Sequence, residues 1–316
     1  MASNIIDNLI DDVRKATENE DFSDTSGIQE QEFIRFLNEG QEHLHARITQ
    51  QHPSVFLSEQ TISITADTEE YSLASDIFIG NKVTQVDYSP TGNAVDYIPL
   101  RAGSLRERRT GADGDPQFYI RRGGSILINP VPTTGTGSLR VTYMKRLPKL
   151  DKRRASISAV TLNSSNNTIT TLTLNVSTDT IDSTALAKSN YMCIVTRNGG
   201  IQMKAIEFDS INTTTGAVTV TSGFTYTTGE TATTSDYIVG GENSTTHTQL
   251  DESLERYLIA YATWKILKRD SNSAEADRQQ QELLAMEDEI IANYAELSDD
   301  IMEIPEIISD DDDWVW

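Results

Sequence analysis

Four consecutive aspartates, Asp310, Asp311, Asp312 and Asp313, run straight into Trp314-Val315-Trp316 at the end of this 316-residue chain. Adjacent carboxylates could draw a divalent cation. A calcium loop, however, spaces its oxygen ligands along a turn, and a run of neighbours does not reproduce that pattern. Two indole rings on an acidic, solvated segment suit recognition better: the rings fill pockets on a partner while the carboxylates meet basic side chains. Ile307 and Ile308 extend the same candidate docking segment. The plainer alternative is a solvated acidic end without a partner.

A second set of residues carries the opposite charge. Arg101, Arg106, Arg108, Arg109, Arg121, Arg122, Lys152, Arg153 and Arg154 fall in a window, 101–154, that holds 13 Lys or Arg against 4 acids. That local +9 leaves −31 on the rest of a chain whose total is −22. Such asymmetry describes a bipolar object with separate contact surfaces. The cluster reads as a contact with an acidic protein surface, as a phosphate-neutralising surface for nucleic acid, or as a solvated face. Only Phe118 and Tyr119 lie among the charges as bases might stack on them, which weighs against nucleic acid. An acidic overall balance points the same way.

Catalytic signatures are missing from the sequence. There is no Walker A loop, no glycine fingerprint after a strand, no Gly-x-Ser-x-Gly elbow and no cluster of Cys or His. His43 and His45 lie two apart on an expected helix, so they point to different faces and do not chelate one ion. His52 precedes a proline and His247 sits in a linker. Any two of the 48 acids could converge for glycoside cleavage, but nothing singles a pair out. No catalytic residue, cofactor or metal site is expected. Cys193, the single cysteine, lies in the apolar run Tyr191-Met192-Cys193-Ile194-Val195 and reads as a buried, inert thiol. The amino terminus shows no secretion signal, and no apolar run approaches the about 20 residues that span a bilayer. A soluble, reducing compartment is expected.

The elements that must position these residues follow from periodicity. Ile5, Ile6, Leu9, Ile10 and Val13 form one apolar stripe of a helix over about 4–18. Ser26 and Gln29 form a capping box for a second helix, striped by Phe33, Leu37, Gly40, Leu44 and Ile48 and ended by Pro53. From about Gln60 the period becomes two. Strands are expected around Ile62 to Ala66, Glu70 to Leu73, Val83 to Tyr88, Val95 to Leu100, Gln117 to Ile120, Ser125 to Asn129 and Ser138 to Arg146. An Arg121-Arg122-Gly123-Gly124 turn joins two of them. Short strands at this spacing argue for a small antiparallel sandwich or barrel.

Composition shifts near Ala155 to a Thr/Ser/Asn-rich, nearly uncharged stretch reaching Gly241. Strand candidates there are Ile169 to Val176, Tyr191 to Thr196, Gln202 to Phe208, Ala217 to Thr221 and Tyr237 to Val239, with Asn212 to Gly216 as a hairpin turn. Helices return with Leu250, Leu254, Tyr257, Leu258, Tyr261 and Leu267. A turn at Ser271 to Ser273, with Asn272 and Glu275 as a cap, leads to a last helix striped by Leu283, Leu284, Ile290, Ile291, Tyr294 and Leu297. Leu254, Tyr257, Tyr261 and Trp264 are packing residues. The expected fold is α+β: a helical body from both chain ends, an antiparallel β sandwich or barrel, and an inserted all-β domain. The division is N-terminal helices 1–53, β domain 54–150, inserted β domain 151–246, helical hairpin 247–297 and docking tail 298–316.

Several patterns in this order resemble the head–tail connector (adaptor) proteins of tailed bacteriophages. They are Asp21-Phe22-Ser23-Asp24-Thr25-Ser26-Gly27-Ile28 with the helix Glu32 to His45, then Asp115-Pro116-Gln117-Phe118-Tyr119 and Ile126-Leu127-Ile128-Asn129-Pro130-Val131-Pro132. Gly137-Ser138-Leu139-Arg140-Val141-Thr142-Tyr143 and the amphipathic helix Leu254 to Leu267 complete the set. The resemblance covers about 3–150 and 249–297 and not the stretch 155–245. It implies a non-enzymatic virion protein of the neck, assembled in the host bacterial cytoplasm. It implies a ring, commonly of twelve copies, below the portal protein and above tail or nozzle proteins, with double-stranded DNA passing through the lumen and no membrane contact. It also implies that Ile307 to Trp316 reach the portal. Two other readings stand beside it: a tail-tube or neck protein one layer lower, and a carbohydrate-binding or adhesin module suggested by the Thr-rich stretch.

Overall fold

The structure is a computed structural model that describes residues 5–17, 29–78, 83–93, 95–108, 111–179, 181–227, 229–270 and 273–299. Ile307 to Trp316, Arg109, and the expected cap residues Ser26 and Asn272 lie outside the described residues. The N-terminal apolar stripe forms α1 (Ile6–Ala16), and Ile6, Leu9, Ile10 and Val13 are all buried. Helix α2 (Glu30–Gln51) buries Phe33, Phe36, Leu37, Leu44 and Ile48. Gln29 itself is the N-cap and makes no side-chain capping bond, so α2 starts about a turn later than a Ser26–Gln29 capping box would place it. Pro53 ends the helix as expected, opening a short 3-10 turn, Pro53–Phe56.

Two four-stranded sheets follow. One is ordered β1 (Leu57–Ser63), β8 (Ser138–Met144), β3 (Val83–Ser89) and β4 (Ile98–Pro99). The other is ordered β2 (Glu70–Ser72), β7 (Ser125–Asn129), β6 (Phe118–Arg122) and β5 (Arg101–Ala102). Alternate residues from both sheets, among them Tyr71, Val86, Tyr88, Tyr119, Ile126, Ile128, Leu139 and Val141, meet in one buried core, which makes a sandwich. The Arg122-Gly123-Gly124-Ser125 turn joins β6 to β7, with Gly123 at φ +55. The sandwich is not wholly antiparallel: β5 pairs with β6 in parallel, Arg101 opposite Phe118. This requires the intervening loop to cross the sheet instead of turning back. The strand expected from Val95 is also shorter, because only Ile98–Pro99 pairs and Val95 is 89% exposed.

Beyond the sandwich the chain passes through β9 (Lys149–Leu150) into a nearly closed six-stranded barrel. Its strands are β10 (Ala155–Asn163), β11 (Thr168–Leu174), β12 (Tyr191–Val195), β13 (Ile201–Ile211), β14 (Val218–Val220) and β15 (Tyr237–Gly240), ordered β11-β10-β15-β12-β13-β14. A bridge between Thr173 and Ala217 brings the outer strands together. Gly216 permits this approach, since a Cβ there would lie 2.1 Å from the Leu174 carbonyl oxygen. Apolar residues such as Ile157, Leu172, Met192, Ile194, Met203, Ile206 and Ile238 fill the interior. A single turn of helix, α3 (Ser183–Ala187), is capped by Asp182, whose carboxylate accepts from the Ala185 amide at 2.9 Å. The chain leaves through β16 (Ser244–Thr245), which pairs in parallel with β9, so entry and exit of the barrel lie side by side.

Helix α4 (Glu252–Arg269) then returns to the N-terminal helices. Asp251 caps it by accepting from the Ser253 amide at 2.9 Å. The helix packs on α1, α2 and α5 (Ser273–Asp299) and is buried on several faces, through Leu254, Tyr257, Leu258, Tyr261, Ala262 and Ile266. Gly40 of α2 lets the Tyr261 ring approach, since a Cβ there would sit 3.1 Å from it. Helix α5 uses one face, burying Ala276, Leu283 and Glu287, while Leu284, expected in that stripe, is 54% exposed.

Candidate functional site

The basic residues divide into two groups with different surroundings. The first surrounds the loop between β5 and β6. Arg101 lies over the Phe118 ring, 5.1 Å from its centroid, and pairs with Glu107 at 2.9 Å. The Glu107 carboxylate also accepts from the Ser104 amide at 2.8 Å; this bond and Arg101 hold it below the usual carboxylate range. Arg108 reaches back across the sheet to Glu69 through two bonds of 2.6 Å each, a bidentate geometry that pins the loop. Gly103 lies so close to Phe118 that a Cβ would fall 2.4 Å from the ring. The loop therefore packs on Phe118, which clusters with Ile120 and Leu127. At its crest Leu105, 65% exposed, and Arg106 project into solvent, and Arg106 meets no carboxylate among the described residues. Arg121 and Arg122 are exposed at the β6–β7 turn, with Arg122 3.5 Å from Glu70. Phe118 and Tyr119 are both buried and offer no face to a nucleic-acid base.

The second group is the triplet Lys152, Arg153 and Arg154, which lies where the helices meet the barrel. Lys152 pairs with Asp7 of α1 at 2.9 Å and with Glu30 of α2. Arg153 contacts Asp179 at 3.1 Å and stacks 3.9 Å from the Tyr237 ring centroid. Arg154, only 13% exposed, engages Asp151 and Asp182. Burial alone would lower the Lys152 and Arg154 values, but the carboxylates outweigh it and hold both cations firmly charged. Asp179 shows the mirror case. Burial would raise it, yet bonds from the Ser156 hydroxyl and amide, with Arg153, bring it below its ordinary value. These three cations are thus engaged by carboxylates of their own chain.

Residues that sequence reasoning passed over complete this junction. Asn38 brackets Leu150, donating to its carbonyl at 2.9 Å and accepting from its amide at 2.7 Å, and Gln41 donates to the Pro148 carbonyl at 2.8 Å. Asp151 accepts from the Gly240 amide at 2.8 Å, tying the incoming segment to the last barrel strand. The available signal was three polar residues, Asn38, Gln41 and His45, on the otherwise apolar face of α2.

Cys193 is fully buried, and its thiol is pushed up chiefly by that burial. His43 and His45 part as expected: His45 is buried between Phe56 and Phe78, whereas His43 is 2.8 Å from the Tyr257 hydroxyl. Buried Glu287 pairs with Arg47, and beside this pair a recess of about 140 Å³ opens between α2, α4 and α5. Tyr261, Trp264, Leu283 and Leu284 form its apolar wall. A wider cleft of about 480 Å³ lies between the start of α4 and the second half of α5. Among the described residues no group of His, Cys, Asp or Glu could hold a metal ion, and no helix is long and apolar enough to cross a membrane.

Residues 5–153 match the family model described as SU10 adaptor protein, a phage virion protein. No curated protein matches the chain. The matched span takes in α1, α2, the whole sandwich and β9, and stops two residues before β10. It coincides with the first stretch of the resemblance to head–tail adaptors. The barrel, α4 and α5 lie beyond it. Over that span, a little under half of the chain, the sequence is similar to the phage adaptor family.

Proposed function

We propose, from the match of residues 5–153 to the adaptor family, that this protein is a ring-forming joint between the portal and the tail of a tailed phage, with genomic DNA passing through its channel. The family match is the observation that carries this reading. Four helices from the two chain ends would form the ring body, commonly in twelve copies. The arrangement of the junction supports it further. The barrel enters and leaves through the paired strands β9 and β16, so it hangs from the body at one point. A barrel so attached would lie on the ring's exterior, where tail or nozzle proteins are within reach, because a lumen sized for duplex DNA has little room for it. The neck of the virion is then the site of action, with assembly in the host cytoplasm. The overall charge of −22 suits a channel through which DNA slides without sticking.

Ile307, Ile308, Asp310 to Asp313 and Trp314 to Trp316 would dock on the portal, the rings in pockets and the carboxylates on basic side chains. Repetition around a ring raises the effective concentration of each tail and offsets the entropy lost in ordering it. Removing residues 309–316 should abolish binding to purified portal rings, read by electron-microscopy class averages, while leaving the thermal midpoint unchanged. Unaltered joining after the deletion would refute the docking role. Failure of the intact protein to form rings or join portals would refute the adaptor reading as a whole.

A further inference from the structure

Two surfaces of this chain are each incomplete and complement one another. On the sandwich, the β5–β6 loop carries Leu105, 65% exposed, beside Arg106, with Arg101 at the start of β5 paired to Glu107 of the same loop. The loop is stiff: Gly103 packs on Phe118, and Arg108 is held by Glu69. A solvated leucine on a stiff, basic loop is a preformed knob, since little conformational entropy is lost when it docks. On the helical body, the solvent side of α5 carries Asp277, Leu284 and Asp288 at spacings of seven and four residues, which set them on one face, with half-buried Ile291 next along it. Arg278 is the one base among the described side chains of α5, against Glu275, Asp277, Glu282, Asp288 and Glu289 on its exposed positions. Beside Leu284 lies the recess of about 140 Å³ walled by Tyr261, Trp264 and Leu283. Knob and recess differ in shape, one convex and the other concave, and the positive charge of the knob matches the acidic α5 side of the recess, whereas Lys265 and Lys268 lie over Trp264 on its α4 side.

We infer that Leu105 of one copy enters the recess beside Leu284 of the next, with Arg106 and Arg101 meeting the acidic face of α5 around Asp288. This deepens, and rests on, the ring reading above, because it names the contact that repeats around the ring. The two patches are different, so the contact is heterologous. Each copy offers one knob and one recess, and repetition runs around a closed circle without stopping at a dimer. Packing of an apolar centre inside a charged rim is the arrangement that gives an interface both affinity and register.

The test uses full-length variants Leu105→Cys, Leu284→Cys and the double variant, treated with a short bismaleimide. The buried Cys193 leaves little background, which the unmodified protein measures directly. The double variant should give a ladder of covalent multimers, and neither single variant should give more than background. Charge reversal sharpens the result. Arg106→Glu or Asp288→Arg, each placed in the double-cysteine background, should cut ladder yield by about tenfold or more, and the two reversals together should restore it. Covalent dimers from either single variant would overturn the inference by showing a self-facing contact. So would the absence of a ladder in a preparation that light scattering shows to be assembled. Loss of signal from both reversals without restoration would also count against it. If the unmodified protein stays monomeric even with portal present, the ring reading fails and takes this contact with it, an outcome distinct from assembly without the ladder.

Discussion

Lys152, Arg153 and Arg154 stand side by side in the sequence and look like the arginines at 101–122, yet the fold encloses the first group and leaves much of the second on the surface. The junction triplet is enclosed by Asp7, Glu30, Asp151, Asp179 and Asp182 and fastens barrel to helices. The loop arginines are distributed over a crest and a turn, several well exposed, with Arg106 meeting no carboxylate among the described residues. A run of positive charge therefore says that carboxylates or phosphates will be met, but not whether they belong to the same molecule. What separates the cases is how many acids the fold brings within about 4 Å. That number depends on long-range contacts.

The largest contrast should come from Arg154→Ala. It removes a guanidinium that is 13% exposed and leaves Asp151, equally enclosed, with the Gly240 amide as its side chain's remaining partner among the described residues. A loss of about 2–3 kcal/mol is expected, seen as a lower urea midpoint with an unchanged slope. A neutral result would place the triplet with the loop arginines and erase the distinction. Next in size is Gly103→Ala. The new methyl group would fall 2.4 Å from the Phe118 ring, so the loop must lift from the sheet, at a cost of roughly 1–3 kcal/mol. Limited proteolysis should then cut between Ser104 and Arg108, where the unmodified protein resists. Equal resistance would show that the loop is not held by this contact.

Much of this architecture was legible because periodicity reports burial directly. The stripe Ile6, Leu9, Ile10 and Val13 and the alternation along β8 reflect one-sided elements, and those are found where expected. What escaped were features without a period of their own. Strand β10 has register shifts near Ile157 to Ala159 and again at Thr161 to Leu162, so its inward residues lose the alternation that would betray it. Strands β9 and β16 are two residues each and exist because Asn38 and the partner strand hold them. Leu284 was counted into the buried stripe of α5 because a leucine beside Leu283 fits a helical core. Only packing shows that α5 turns a single face to α2 and α4. The parallel pairing of β5 with β6 depends on a loop crossing a sheet, which local residues do not encode. For the interaction surfaces, sequence located the cations but not their partners.

A smaller effect should follow acid. Burial would raise the Asp179 carboxyl, but the Ser156 hydroxyl and amide and Arg153 hold it below the ordinary 3.8. A carboxyl depressed in the folded state adds stability that is complete above its unfolded value and fades as pH falls through the folded one. Asp179→Asn should therefore cost about 1 kcal/mol at neutral pH and progressively less below pH 4. Urea midpoints at pH 7 and pH 3 would show the two proteins converging. A constant gap would mean that the junction is held by geometry and not by the charge of Asp179.

Arg106→Ala should have the smallest effect on stability and is the sharpest test of the contrast. Arg106 is exposed at the loop crest, and truncation there should change the urea midpoint by no more than about 0.5 kcal/mol. If Arg106 serves a contact between copies, the same substitution should lower the extent of assembly seen by light scattering, most clearly at low salt, where exposed charges are least screened. Arg154→Ala should do the reverse, weakening the isolated subunit while leaving the crest and its charge in place. A large stability loss at Arg106 would mean that this side chain, like Arg101, Arg108 and Arg122, is occupied within the subunit, and the two groups would then differ in degree and not in kind.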